Sequence, residues 1–168
     1  MTIRIDDVHA IRAIATAAHI QFVPKLHHCI ARYTDTDRLL GGVLFTEYRG
    51  GSVAIHMAGF DPHWVNRVMI YLAFDYPFNQ LKVKKLIGLV PESNVRAHNA
   101  NLKLGFKDEH LIKDVYNGLM SGMHIMSMLK EECRWLDLPM PFIEYAPPER
   151  TNDINLPLAN MTTVGAMQ

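Results

Sequence analysis

The chain has 168 residues, of which 49% are hydrophobic, enough for one domain around one core. Its 17 basic and 17 acidic side chains cancel, so no bulk charge draws it to nucleic acid or to an anionic membrane. No run approaches the roughly 20 apolar residues of a membrane span, and the N-terminus lacks an apolar signal core.

"TIRI" predicts a short strand. Asp6 or Asp7 then caps a helix reaching about His19, with Val8, Ile11, Ile14, Ala15 and Ala18 along one stripe. A shorter helical piece is expected around Pro24 to His27. "CIARYT", "LLGGVLFTEY" and "SVAIHMAGF" are strands, separated by the turns "DTDR" and "RGG", and together they predict an antiparallel meander. The spacing of Val65, Val68, Met69, Leu72, Ala73 and Tyr76 predicts a helix with Pro62 in its first turn, ending before Pro77. "KKLIGLV" is an apolar strand of the buried, parallel type. A helix follows over Asn94 to Leu104, with Gly105 at its C′ position. "FKDEHLIKDVY" and "MHIMSMLKEE" flank "NGLMSG", an Asn-Gly hairpin signal.

From Asp137 the texture changes, and five of the nine prolines fall in the remainder. The expected organisation is a domain over residues 1–136 and a Pro-rich extended or disordered arm over residues 137–168. The element order predicts an α/β (α+β) fold with a mostly antiparallel sheet of about seven strands and four helices.

Neither a CxxC nor a Cys/His ligand spacing surrounds Cys29 and Cys133, which predicts buried free thiols in a reducing cytoplasm. Of the nine histidines, His27 and His28 are adjacent and cannot share a face, and no HExxH or His-x-His occurs. No metal is expected. No basic recognition helix supports a nucleic-acid partner.

The segment "NVRAHNANLKLGF" after the fifth strand resembles the GNAT acetyltransferases. That family has an Asn, an Ala or Ser three residues on, and a closing Leu-Gly-Phe; here these are Asn94, Ala97 and Leu104-Gly105-Phe106. The "EECRWL" ending and "FDYPFNQLKVKKLIGLV" resemble the ribosomal-protein N-acetyltransferase branch and its phage-encoded relatives, for which the location would be a host cytoplasm. The resemblance covers about Ile3 to Leu136. It implies that strands four and five splay apart and admit the pantetheine arm of acetyl-CoA as co-substrate. It also implies that the backbone of strand four, at Met57 and Ala58, meets the thioester. Asn94 and Ala97 would then border the arm, although Asn94 equally fits a plain helix cap.

The family's glycine-bearing pyrophosphate loop corresponds here to "GFDPHWVNR", where Pro62, Trp64 and Asn66 stand in the glycine neighbourhood. Trp64 fits two roles, stacking on adenine or stapling the helix to the sheet. Asn66 falls beside the phosphates, and Arg67 or Arg96 supplies a cation. The family's catalytic Tyr position is Asn101, which can hydrogen-bond a thiolate but cannot readily protonate it. His56, among Ala54 and Ala58, is the candidate base through an ordinary pKa near 6.5, or else a structural histidine. Glu47 and Tyr48 are weaker substrate contacts, and Asp61 reads as a turn cap.

The resemblance implies an N-acetyltransferase acting on an amine of a protein N-terminus, a lysine or a small molecule, by direct attack in a ternary complex. The alternative is a catalytically degenerate GNAT-fold module for binding or assembly, as in phage morphogenesis or host-factor binding. In either case the C-terminal arm could join copies into a homo-oligomer.

Overall fold

The computed structural model describes residues 2–23 and 26–139. Seven strands and three α-helices are present among them, in the order β1 (Thr2–Ile5), α1 (Val8–Ala17), β2 (His28–Tyr33), β3 (Leu39–Thr46), β4 (Ser52–Gly59), α2 (Arg67–Asp75), β5 (Lys85–Pro91), α3 (Val95–Leu104), β6 (Lys107–Ile112) and β7 (Met123–Leu129). The strands form one sheet in the order β1-β2-β3-β4-β5-β7-β6. Every neighbouring pair is antiparallel except β4 and β5.

Helices cover both faces of the sheet, which explains the nearly unbroken apolar runs of β2 and β3. Alternation sends Cys29, Ala31, Tyr33 and Leu44 to one face, where they meet Ala10, Ile11, Ile14 and Ala15 of α1. It sends Ile30, Val43, Phe45, Val53 and Ile55 to the other, where they meet Met69, Leu72, Ala73 and Phe74 of α2. Asp7 starts α1 by accepting from the amides of His9 at 2.9 Å and Ala10 at 3.1 Å.

α3 lies on the α2 side and is held lightly. None of its ten residues is buried, although Ala97 and Leu104 pack against the core. Gly105 ends it at φ 106°, a left-handed conformation that favours glycine. Past β7 the chain makes two short 3-10 turns, Lys130–Glu132 and Arg134–Asp137. From the second, Arg134 donates to the Lys103 carbonyl at 2.7 Å, and the Trp135 indole N–H to that of Leu104 at 2.6 Å. These bonds engage two carbonyls that the last turn of α3 leaves open. The Trp135 ring also stacks on Phe74, with centroids 6.4 Å apart, so it wedges between α2 and α3.

Three expectations are corrected. The proposed second helix is not seen: Leu26 and His27 are non-helical, and Pro24 and Lys25 lie outside the described residues. Three α-helices therefore stand where four were expected. α2 begins at Arg67 with Asn66 as its cap, and Pro62 sits in the preceding turn rather than in the helix. After Asp75 the chain continues through Pro77 as one π turn, Tyr76–Gln80. The Pro-rich arm lies outside the described residues from residue 140 onward. Cys29 and Cys133 are buried and free. No helix among the described residues is long and apolar enough to cross a membrane.

Replacing the cap of α1, Asp7→Ala, is expected to lower unfolding free energy by about 1 kcal/mol in urea titration, with an unchanged m-value.

Candidate active site at the strand splay

β4 and β5 pair over only three positions: Ser52 with Lys85, Val53 with Leu86, and Ala54 with Ile87. Beyond these the strands part. Ile55 to Gly59 of β4 stay with β3, while Gly88 to Pro91 of β5 stay with β7. The parting leaves an edge of β4 facing a gap inside the sheet, with backbone groups that no sheet partner engages from that side. Met57 and Ala58 lie on this edge. The Met57 side chain packs toward the α2 face and that of Ala58 toward the α1 face.

His56 and Asn101 flank the gap from opposite faces. His56 shares the α1 face with its β3 partner Leu44, and its Nε2 lies 3.0 Å from Thr46 Oγ1. Burial pushes the His56 pKa down to about 4, against a smaller upward pull from Glu47 and a further lowering by His27. The reading of His56 as a base with an ordinary pKa is thereby corrected. At neutral pH it is an uncharged imidazole with little appetite for a proton. On the α2 face, the Asn101 amide nitrogen stands over Gly88, the first β5 residue past the split. A Cβ added there would lie 3.6 Å from Asn101 Nδ2. Asn101 thus points inward, as its helical face predicts; its only side-chain hydrogen bond seen among the described residues is a weak one to Met126 Sδ at 3.8 Å.

Asn94 caps α3 through its side-chain oxygen, which accepts from the Ala97 amide at 3.1 Å. Asn66 does the same for α2, accepting from Met69 at 2.8 Å. The oxygens of both side chains expected to face the donor are thus engaged at a helix start, and the Ala97 amide donates to a cap.

The loop between β4 and α2 uses its amides internally. Those of Phe60 and Asp61 donate to the Leu40 carbonyl, that of His63 to Asp61 Oδ1, and that of Trp64 to the Asp61 carbonyl; Pro62 has none. The largely buried Arg32 guanidinium binds the loop from beneath, donating to the carbonyls of His63 at 2.6 Å and Trp64 at 3.0 Å. The loop amides from Phe60 to Trp64 are therefore committed elsewhere. The donors that remain for an anion are the amides of Val65 and Asn66 and the first-turn amides of α2, at Arg67 and Val68, beside the exposed Arg67 guanidinium.

Trp64 lies flat against the sheet. A Cβ on Gly59 would fall 2.1 Å from its Nε1, and one on Gly41 2.7 Å from its ring. The indole fills the space above two glycines and packs on the core, as the staple role expects. Glu47 pairs with Arg49 at the end of β3, and Asp61 accepts from the His63 amide as a turn cap, also pairing with Arg38 at 3.0 Å.

One cluster escaped the sequence reading. His98 of α3, Asp108 of β6 and His124 of β7 converge, and no local spacing links them. The available signal was indirect. His98 falls on the sheet-facing side of α3 with Asn101, and the pairing of Asp108 with Met126 puts His124, two residues along β7, on the same face.

No protein-family model matches this chain, and no curated protein sequence matches it. Solved structures do. The spermidine N-acetyltransferase SpeG from Vibrio cholerae in complex with CoA and spermine aligns with a TM-score of 0.60 at 18% identity, covering 78% of this chain and 96% of that one. SpeG from the same organism with manganese ions gives 0.62 at 18%, covering 77% and 92%. Its dodecameric form gives 0.59 at 17%, covering 77% and 94%. The fold is the GNAT fold. At this identity the likeness is one of architecture: the mixed sheet, the parallel β4–β5 pair and the helices that flank it.

Two outcomes test these placements. The depressed His56 pKa favours folding fully above the unfolded value of about 6.5, and that contribution is lost as pH falls toward 4, a swing of about 3 kcal/mol. His56→Gln should therefore flatten the acid limb of stability between those pH values in urea titrations. Gly59→Ala should cost about 2 kcal/mol by driving Trp64 off the sheet, and Trp64→Ala in the same chain should recover part of it, giving a non-zero coupling energy.

Proposed function

We propose that this chain is an acetyl-CoA-dependent N-acetyltransferase acting on an amine. The observation that carries the proposal is the parting of β4 and β5 directly after Ala54 and Ile87, which leaves an unpaired strand edge between His56 and Asn101. An extended donor arm fits such an edge as an added strand, with its thioester carbonyl against β4 amides near Met57 and Ala58. Its pyrophosphate would then meet the first turn of α2 and Arg67, with Arg96 at the exposed start of α3 as a second cation.

In the reaction the neutral amine attacks the thioester carbonyl carbon, and the tetrahedral oxyanion rests on the β4 amides. The C–S bond then breaks. The Asn101 carboxamide donates a hydrogen bond to the departing thiolate, which takes its proton from water. The proton lost by the amine also passes to water, since His56 is too weak a base to hold it. Positioning supplies most of the acceleration.

Among amine acceptors, the SpeG relatives support a polyamine, while the "EECRWL" resemblance supports a ribosomal-protein N-terminus; both belong in the acceptor screen. The dodecameric relative supports assembly into a homo-oligomer.

A second reading is a GNAT-fold module that has lost the reaction. The self-bonded loop from Phe60 to Trp64 and the missing proton donor at Asn101 favour it. Isothermal titration with acetyl-CoA separates the two. The enzyme reading expects micromolar binding, weakened at least about tenfold by Arg67→Glu without a change in melting temperature. It also expects acetyl transfer to spermidine or to a peptide amine, followed by mass spectrometry. A folded protein that gives no heat up to millimolar acetyl-CoA would leave the binding module as the function.

A further inference from the structure

We propose that His98, Asp108 and His124 form a binding site for one divalent transition-metal ion, Zn2+ by its chemistry, which clips α3 to the β6–β7 edge of the sheet. This site is independent of the acetyltransferase reading.

The three side chains come from three elements and meet at one point. His98 Nε2 lies 2.7 Å from Asp108 Oδ2, and His124 Nδ1 lies 2.7 Å from the same oxygen. The two imidazole centroids are 4.2 Å apart. One oxygen thus receives two ring nitrogens, and the second of these contacts lacks the angles of a hydrogen bond. His124 Nδ1 is buried and has no hydrogen-bond partner among the described residues.

An ion-pair cluster explains this arrangement poorly. Asp108 gives His98 a well-formed hydrogen bond but leaves His124 Nδ1 buried without an aligned partner, at the cost of its hydration. A cation among the three atoms gives each a partner at once. Two imidazoles and a carboxylate are a donor set for zinc, nickel or copper rather than for magnesium or calcium, which take oxygen. Tetrahedral zinc at about 2.0–2.1 Å from each ligand needs ligand atoms about 3.3 Å apart, so the cluster would open by roughly half an ångström. Asp108, at the sheet edge and partly exposed, has room to give that distance. The side chains are 18 to 30% exposed, which leaves the fourth position to water.

The location gives the ion a purpose. α3 buries none of its residues and carries Asn101 three residues after His98. A metal bond from its middle to β6 and β7 fixes the helix where apolar packing is thin.

The test uses the full chain stripped with a chelator and then titrated with Zn2+ against a fluorescent zinc indicator. The expected result is a single tight equivalent, and Co2+ in its place should give the visible absorption of a four-coordinate site. His98→Gln and His124→Ala should each weaken Zn2+ by at least about a hundredfold, while the exposed His19→Asn should not. Zn2+ should raise the melting temperature of the native sequence and leave that of His98→Gln unmoved. His98→Gln sits on the lightly packed helix and serves if His124→Ala fails to fold. Equal Zn2+ affinity in His98→Gln and the native sequence, or no saturable binding by the folded native protein, would overturn the proposal.

Discussion

The whole arrangement depends on where one pair of parallel strands stops pairing. β4 keeps β3 from Ala54 to Gly59, and β5 keeps β7 along its full length, yet the two halves of the sheet share only three registered positions. Backbone groups inside a protein need partners, so a split of this kind is costly unless something completes it. The remaining elements hold the split open. α1 fills one face and α2 and α3 the other. Gly88 carries no side chain at the first β5 position past the split, and Asn101 stands over it.

The helix starts share one logic. Asp7, Asn66 and Asn94 each turn a side-chain oxygen onto an amide of the helix they precede. At Asn66 and Asn94 this local role uses the atom that a ligand-facing role would require. Cap and cofactor contact compete for the same lone pairs, and the local partner is always within reach.

Much of the fold was legible in the sequence because its signals are local. Strand alternation, the Gly50-Gly51 turn, the Asn94 cap and the Gly105 stop all act within a few residues, and each element they mark is present. The short helix expected near Pro24 rested on a proline and little periodicity, and its described flanks are not helical. The start of α2 was misread because Pro62 suits a first helical turn, yet Arg32 and Asp61 hold the loop in another path. Of the candidate site, geometry that depends on local spacing was legible and chemistry that depends on burial was not. The facing of Asn101 followed from helix spacing, but the His56 pKa depends on burial that only the folded sheet supplies. The convergence of His98, Asp108 and His124 rests on β6–β7 register and helix docking, neither of which a one-dimensional spacing encodes.

The seat of Trp64 has an evolutionary consequence. Its indole occupies the volume over Gly41 and Gly59, and its backbone carbonyl accepts from the largely buried Arg32. Exchanging Trp64 for a glycine in one step would leave a ring-sized hollow above two residues with no side chains to fill it. Bulk would have to return at Gly41 or Gly59 in the same interval. Strand and loop are tied into one inheritance, and the loop's present form is locked in by what has grown around it.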